Sequence, residues 1–432
     1  MLPHRRELQT YPTGARRRGL LAAAILAMFL TAYEGQLAPV LSLLLADLGM
    51  PLGRYGAITA VSLLVGAVAG FVGGKLVDRL GRVRLMVPFL FLSGLACLFM
   101  ATSTSEAQFT AARVLLALVE GIAAAGSAPL VRDFAPRMGR AQAFAFFSWG
   151  TVGANFFAAA ITALTLDLLG GTWQAQLYLM AGISLAGAVV VAATLRELAP
   201  PVRREIRLSE EAVRPITPTR TGSPLRNATA WTYVAAMSAL FLLLGTLNAY
   251  GQVLLGEALG VQVRFASLIM MFFWGANLVA SLGLSRWSDR LQRRTPFLLT
   301  GGATSAAALL ALIALLGLGT DAPAAAVVVV FIGLGVALGA IFGPWMAAFA
   351  AYVEEIHVDA EGTAFGLQHL VSRLVVLAAV LLAPRLADAA GWSAWLLVTL
   401  AAVVVFLALI LLLHRRNPER APETVAERAP TG

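Results

Sequence analysis

The chain has 432 residues, of which 59% are hydrophobic and only 13% are charged, and its formal net charge is +9. A soluble globular chain is about 45–50% apolar and about 25% charged, so this composition excludes an ordinary soluble domain and indicates lipid-facing helices. The single cysteine, Cys97, excludes an intramolecular disulfide, and the four scattered histidines argue against a metal cluster.

Apolar segments of about 20 residues, the length that spans a bilayer as a helix, recur along the whole chain. Arg16, Arg17 and Arg18 before an apolar stretch resemble the start of a signal peptide, but the stretch from Gly19 continues to about Ala46, which is too long. We therefore predict twelve transmembrane spans. They are 19–46, 55–77, 85–103, 106–132, 139–165, 173–195, 229–256, 262–285, 296–318, 323–352, 360–388 and 391–413.

A polar stretch, 196–228, separates the first six predicted spans from the last six. It holds seven arginines, four glutamates and five prolines, a composition typical of a mobile or partly helical surface segment. The predicted organisation follows from this division. It is a cytoplasmic N-terminal segment at 1–18, a six-helix bundle at 19–195, a cytoplasmic linker at 196–228, a second six-helix bundle at 229–413 and a cytoplasmic tail at 414–432.

The positions of the basic residues predict the orientation. With the N-terminus in the cytoplasm, cytoplasmic segments hold 27 of the 32 basic residues, and the external loops hold only Arg54, Arg264 and Arg385. No basic helix interleaved with aromatic residues is present, so a nucleic-acid partner is not expected. We predict that both termini are cytoplasmic. The excess of arginine over the single Lys75 indicates a high-GC bacterial coding sequence, and hence the bacterial cytoplasmic membrane.

Three short motifs of the first half recur in the second half, in the same order and at offsets of 217, 211 and 221 residues. Residues 32–36 match 249–252, residues 78–82 match 289–293, and residues 142–145 match 363–366. Three matches in order indicate a duplicated six-span unit. Transporters built from duplicated halves hold their solute near the membrane midplane, between the halves.

The loop after the second predicted span carries a recognisable motif. Residues 74–84 read GKLVDRLGRVR and closely resemble the motif that joins spans 2 and 3 in the major facilitator superfamily. The resemblance extends over essentially the whole chain through the span count, the linker and the half-repeat. It implies an all-α membrane fold of two pseudo-symmetric six-helix bundles that moves a small solute by alternating access.

The same resemblance implies a cytoplasmic gate. Its predicted residues are Gly74, Asp78, Arg79, Gly81, Arg82 and Arg84, with Asp289 and Arg290 as the weaker counterpart in the second half. Glycine would let two helices approach closely, and an aspartate can accept hydrogen bonds from arginines or from a helix N-terminus. The alternative is that these charges only stop transfer and fix the topology.

Span 4 carries two charges at membrane depth, where each costs about 2.5–3.5 kcal/mol unless it has a partner or a water-filled cavity. Arg113 and Glu120 are seven residues apart, close to two helical turns, so both project from one face. Residues 113–121 resemble span 4 of the organic anion–cation symporter branch. That resemblance implies charge recognition by Arg113 and proton binding by Glu120. Alternatively, the two residues belong to a fixed network that holds helices together.

Two further charges lie inside predicted spans. Glu34 lies near the middle of span 1, with Pro39 following in the same predicted helix, and a carboxyl group in a desolvated site can exchange a proton near neutral pH. Its alternative is a permanently paired structural role. Arg373 in span 11 would make the cavity electropositive together with Arg113, or would partner Glu34 or Glu120 across the halves.

A solute site also needs a few hydrogen-bonding groups within apolar walls. The neutral candidates at cavity depth are Tyr33, Gln36, Asn248, Tyr250 and Gln252. Amides that only pack helices together produce the same pattern.

The sequence therefore predicts a monomeric secondary transporter, in contact with membrane lipid, that imports a small organic anion with protons and needs no cofactor or metal. The alternative is proton-driven efflux of apolar or cationic compounds, although Thr151 stands where such antiporters of this superfamily carry the proline of a Gly-Pro element. A non-transporting membrane receptor is a third possibility. No phosphate-binding loop or nucleophile–base set indicates an enzyme.

Overall fold

The structure of the protein is a computed structural model that describes residues 7–126, 130, 133–134, 140–213, 226–356 and 361–416. Ten segments within these residues are long and apolar enough to cross a membrane. One of the ten, Ala364–Arg416, contains two spans, and the helix Arg140–Thr165 lies at the position of predicted span 5. The prediction of an all-α membrane fold with twelve spans is confirmed.

The first half contains spans 1 to 6. Their bounds are Gly14–Tyr33 continued by Ala38–Val40 and Leu41–Leu48 (span 1), Leu52–Leu80 (span 2), Arg82–Ala101 (span 3), Glu106–Ala124 (span 4), Arg140–Thr165 (span 5) and Trp173–Thr194 (span 6).

The second half contains spans 7 to 12. Their bounds are Ala228–Leu259 (span 7), Val263–Leu291 (span 8), Thr295–Leu316 (span 9), Ala324–Ile356 (span 10) and Glu361–Arg416, which holds spans 11 and 12. A continuous helix of 56 residues would be about 84 Å long, far more than a bilayer needs. Gly391, with φ 82° and ψ 163°, breaks it and separates span 11 from span 12.

Span 1 differs from its prediction, because its helix is not continuous over 19–46. The α-helix ends at Tyr33, and the next helical turn, Ala38–Val40, is a short 3-10 helix. Pro39 has no N–H to donate to the carbonyl of Gly35, and that carbonyl instead accepts a bond of 3.1 Å from the N–H of Leu37. The chain is therefore unwound at the membrane depth where Glu34 lies.

The N-terminal segment and the linker meet beside the first half. Glu7–Leu8 pairs in parallel with Glu197–Leu198, and a linker helix follows at Pro200–Val213. Leu8, Leu198 and Val202 are buried in one apolar cluster. The pairing places the start of span 1 and the end of span 6 on one side of the protein, which requires an even number of spans between them. We call this side the terminal face and the other side the opposite face.

The two halves touch directly near the opposite face. Gly56 of span 2 packs against the backbone of span 11 at Val380, and Ser267 of span 8 donates a hydrogen bond of 3.5 Å to the carbonyl of Pro39. Asp167 and Arg264, in the two halves, form an exposed ion pair of 2.8 Å. The protein is thus closed on the opposite face.

Candidate functional site

The unwound stretch of span 1 is the centre of the candidate site. Glu34 is the residue that ends the helix, and it is completely buried. The N–H of Gln36 bonds to the carbonyl of Tyr33 at 3.1 Å, so the chain turns sharply after Glu34. In carriers, a broken helix at membrane depth is tolerated where it lines a binding site, since its freed backbone groups need polar surroundings.

The structure brings both charges of span 4 to this break. A Cβ atom at Gly35 would lie 3.3 Å from Arg113 Nη1 and 3.3 Å from Glu120 Oε1. The absence of a side chain at Gly35 therefore makes room for both groups. Arg113 Nε and Nη1 and Glu120 Oε1 are buried and have no hydrogen-bond partner among the described residues.

Glu34 points towards spans 3 and 6, inside the first half. The hydroxyl of Ser93 lies 3.1 Å from Glu34 Oε1 and 2.9 Å from the carbonyl of Leu90, and Ser184 of span 6 lies next to the same carboxyl group. Within the described chain, Glu34 Oε2 has no donor. Glu34, Arg113 and Glu120 therefore form one buried polar cluster, which we call the span 1–4 cluster.

Sequence reasoning did not find the two serines. Each lies alone in an apolar span, and a lone hydroxyl there has no pattern that distinguishes a partner of Glu34 from one bonded to its own helix. Only the packing of spans 1, 3 and 6 places Ser93 and Ser184 beside Glu34.

Two of the neutral candidates lie on either side of Glu34. Tyr33 is completely buried, and its ring stacks on Phe29 with centroids 5.0 Å apart. Its hydroxyl has no partner within the described residues. Gln36 donates to the carbonyl of Ala32 at 3.0 Å, in its own span.

Span 7 carries the other three neutral candidates. Tyr250 donates a bond of 2.7 Å to the carbonyl of Val380, so its hydroxyl holds spans 7 and 11 together. The side-chain oxygens of Asn248 and Gln252 are buried, and in the described structure they have no hydrogen-bond donor. These two amide oxygens can accept a hydrogen bond from a ligand, whereas the Tyr250 proton is already donated to Val380.

Arg373 is not part of the span 1–4 cluster. It is exposed on span 11, and no ion pair joins it to Glu34 or Glu120 among the residues that the structure describes. Gln368 and Ser372 of the same span are buried instead, and Ser372 lies 3.3 Å from Ser238 of span 7.

The loop of the predicted gate is anchored within the first half. Gly81 takes φ 93° between spans 2 and 3, and the next backbone N–H, that of Arg82, donates to Glu197 Oε2 at 2.8 Å. The Arg82 guanidinium also forms an ion pair with Asp133, which follows span 4. Sequence reasoning missed Glu197, because nothing in its context distinguishes it from the other linker glutamates.

The close approach predicted for Gly74 is made by its neighbour. A Cβ at Gly73 would lie 2.9 Å from the Cα of Ile122 in span 4, whereas no atom of the described residues lies within 4 Å of a Cβ at Gly74. The side chain of Asp78 lies outside the described part of the structure.

The other predicted gate residues lie at the surface of the terminal face. Arg79, Arg84 and Arg290 are exposed, and Asp289 is partly buried. Asp289 also accepts, through its carbonyl, a bond of 2.6 Å from the side chain of Gln292 in the turn after span 8.

Comparison with known proteins adds two findings. Two overlapping stretches, 20–358 and 252–432, match the sequence profile of the Major Facilitator Superfamily. The 4-hydroxybenzoate transporter PcaK of Pseudomonas aeruginosa is 32% identical to this chain over 174 residues. That match covers 39% of this chain and 37% of the relative, so it spans well under two thirds of the relative's length.

Proposed function

The chain belongs to the major facilitator superfamily, a family of secondary transporters, and from that premise we propose that it is a proton-coupled symporter of a small organic anion. The observation that carries the proposal is the meeting of Arg113 and Glu120 at Gly35, beside Glu34. The proposed location is a bacterial cytoplasmic membrane with the terminal face in the cytoplasm, which rests on the 27 basic residues that the sequence places in the predicted cytoplasmic segments.

Arg113 is the proposed recognition group for the anion. A guanidinium offers two parallel donors that match a carboxylate, and buried charge-assisted hydrogen bonds are stronger than neutral ones. Arg113 Nε and Nη1 belong to the two different donor edges of the guanidinium, and both lack a partner in the described structure. A substrate carboxylate that approaches Gly35 would accept a hydrogen bond from Nη1, the nitrogen that lies at this glycine.

Glu120 supplies the coupling in this proposal. Its Oε1 and the Arg113 Nη1 both lie 3.3 Å from the same point at Gly35, so Glu120 and a substrate carboxylate would compete for one guanidinium. A proton on Glu120 removes that competition and leaves Arg113 to the substrate. One anion and one proton then enter together, and the cluster keeps its net charge.

Glu34 is the second proposed proton-binding group. Its Oε2 is buried without a donor, and a neutral carboxylic acid needs no counter-charge at membrane depth. The hydroxyl of Ser93 can either donate to Glu34 or accept from it, so the contact survives both protonation states.

The proposed substrate class is an aromatic carboxylate. The support is the similarity to a protein named as a 4-hydroxybenzoate transporter, together with the paired arginine and glutamate of span 4. In this proposal the unpartnered amide oxygens of Asn248 and Gln252 in span 7 accept a hydrogen bond from a ring hydroxyl of the substrate.

The test is uptake of radiolabelled 4-hydroxybenzoate by purified protein in liposomes with an alkaline interior. We expect uptake that requires the pH gradient and that falls about 10- to 100-fold in Arg113→Gln, the loss of a charge-assisted bond. The matched control is Arg54→Gln, because Arg54 forms an exposed ion pair with Glu106 at the opposite face.

Exchange without a gradient separates binding from coupling. Glu120→Gln and Glu34→Gln should retain substrate exchange but lose gradient-driven accumulation, since a glutamine mimics the neutral acid and cannot release a proton. Wild-type uptake that ignores the pH gradient would refute symport, and export driven by an inward proton gradient would establish the efflux alternative instead.

A further inference from the structure

A groove between spans 11 and 12 lies outside the machinery described above. It is open to the surroundings of the protein, has a volume of about 410 Å³ and adjoins the turn at Gly391 on the opposite face. Its lining residues are Leu382, Arg385, Leu386, Trp395 and Val398. Leu382 and Val398 are 48% and 41% exposed, so the walls present apolar surface to the membrane.

Arg385 is the exception in this apolar lining. Among the residues that the structure describes, the basic residues of the opposite face are Arg54, Arg264 and Arg385, and two of them are ion-paired, Arg54 with Glu106 and Arg264 with Asp167. In the described chain, Arg385 has no ion pair or hydrogen bond.

The nearest acidic residue to Arg385 in sequence is Asp388, three positions later on the same helix. It is exposed, and no ion pair joins it to Arg385 in the part of the chain that the structure describes. The guanidinium of Arg385 is therefore available to an anion from outside the protein.

The depth of the groove matches the boundary between headgroups and hydrocarbon. Arg385 lies six residues before Gly391, and Trp395 lies four residues after it, so they are roughly 9 Å and 6 Å along their helices from the turn. Tryptophan is enriched at this depth, and arginine places its charge there while its stem covers apolar surface. Trp395 is fixed as the floor of the groove, because its Nε1 donates to Thr246 of span 7 at 2.9 Å.

We propose that this groove binds one anionic phospholipid, with an acyl chain against Leu382 and Val398 and the phosphate on Arg385. A soluble anion would gain nothing from the apolar walls, whereas a lipid uses both the walls and the charge. A zwitterionic lipid fills the same walls but brings its own cation, so the groove prefers a lipid with net negative charge.

The experiment is native mass spectrometry of the full chain in detergent, titrated with phosphatidylglycerol or with phosphatidylcholine of the same acyl chains. We expect one adduct that forms with at least about tenfold higher affinity for phosphatidylglycerol, since one charge-assisted bond distinguishes the lipids. Arg385→Gln should reduce that preference to the phosphatidylcholine level. The matched control Arg54→Gln, on the same face but ion-paired, should keep it.

A second variant tests the groove itself. Val398→Trp fills the apolar wall and keeps Arg385, so it should weaken the adducts of both lipids. An unchanged preference in Arg385→Gln, or an equal loss in Arg54→Gln, would overturn the proposal in favour of non-specific annular lipid. Equal competition by soluble glycerol 3-phosphate would also overturn it, because the acyl chain would then contribute nothing.

Discussion

Closure of the opposite face depends on a contact that has no room for a side chain. A Cβ at Gly56 of span 2 would lie 2.6 Å from the carbonyl oxygen of Val380 and 3.0 Å from the hydroxyl of Tyr250, both in the second half. An ordinary carbon–oxygen contact is about 3.3–3.6 Å, so Gly56→Ala requires the two halves to separate there by about 0.7 Å. The carbonyl cannot rotate away easily, because it accepts the hydrogen bond of Tyr250.

The expected cost of Gly56→Ala is that of overpacking a tight contact, about 1–3 kcal/mol. This cost applies only while the opposite face is closed, since the contact does not exist once the halves separate there. The equilibrium should therefore shift about 5- to 150-fold towards the state that is open on this face. Gly53→Ala is the matched control, because a Cβ at Gly53, one turn away in the same helix, meets no described atom within 4 Å.

The assay is a distance measurement by pulsed electron paramagnetic resonance between two spin labels. Leu168 and Leu318 are suitable label sites, since both are exposed on the opposite face and lie in different halves. The buried Cys97 is first replaced by alanine. Gly56→Ala should increase the population at the longer distance, and Gly53→Ala should not. If both variants give the wild-type distance distribution, the Gly56 contact does not control closure.

Three further outcomes are expected. Gly35→Ala should reduce transport about tenfold or more, because a Cβ at Gly35 would lie 3.3 Å from Glu120 Oε1 and crowd it. The control Gly19→Ala should leave transport unchanged, and equal uptake by both variants would contradict the prediction. Gln292→Gly should stabilise the protein by about 0.5–1 kcal/mol, because Gln292 has φ 53°, a left-handed backbone conformation that favours glycine. A lower midpoint of thermal unfolding in detergent would contradict this prediction. Arg264→Gln should change the free energy of opposite-face closure by less than about 1 kcal/mol, because the side chains of Arg264 and Asp167 are 56% and 62% exposed. Measured with the same two spin labels, that change should vanish in high salt.

The sequence was sufficient for the features that repeat or that follow helical geometry. The recurrence of apolar segments predicted the spans, and the seven-residue spacing placed Arg113 and Glu120 on one face, where both reach Gly35. The repeat is also visible in the backbone. Gly81 and Gln292, which are 211 residues apart, both have positive φ after spans 2 and 8, although their ψ angles differ.

Features that depend on how helices pack could not be predicted. The break of span 1 lies between Gly35 and Pro39, where Arg113 and Glu120 of span 4 approach the chain, and no single-span pattern reports that approach. The choice between Gly73 and Gly74 for the close contact with span 4 depends on helix rotation by 100°, which hydrophobicity alone does not fix in a membrane. The separation of Arg373 from the span 1–4 cluster likewise depends on which face of span 11 meets span 7.

The break in span 1 gives the proposed binding residues a physical connection to the closed face. The inner helix, Gly14–Tyr33, packs within the first half, whereas the outer turn, Ala38–Val40, also packs against spans 7 and 8 of the second half. Separation of the halves on the opposite face removes that second set of contacts, including the bond from Ser267 to Pro39. In a continuous helix a movement of the outer turn would be transmitted along the whole helix. Here the movement is taken up by the unwound residues between the inner helix and the outer turn. Those residues include Gly35, whose position relative to Arg113 and Glu120 sets the space for the proposed anion. We therefore expect the proposed site and the closed face to change together.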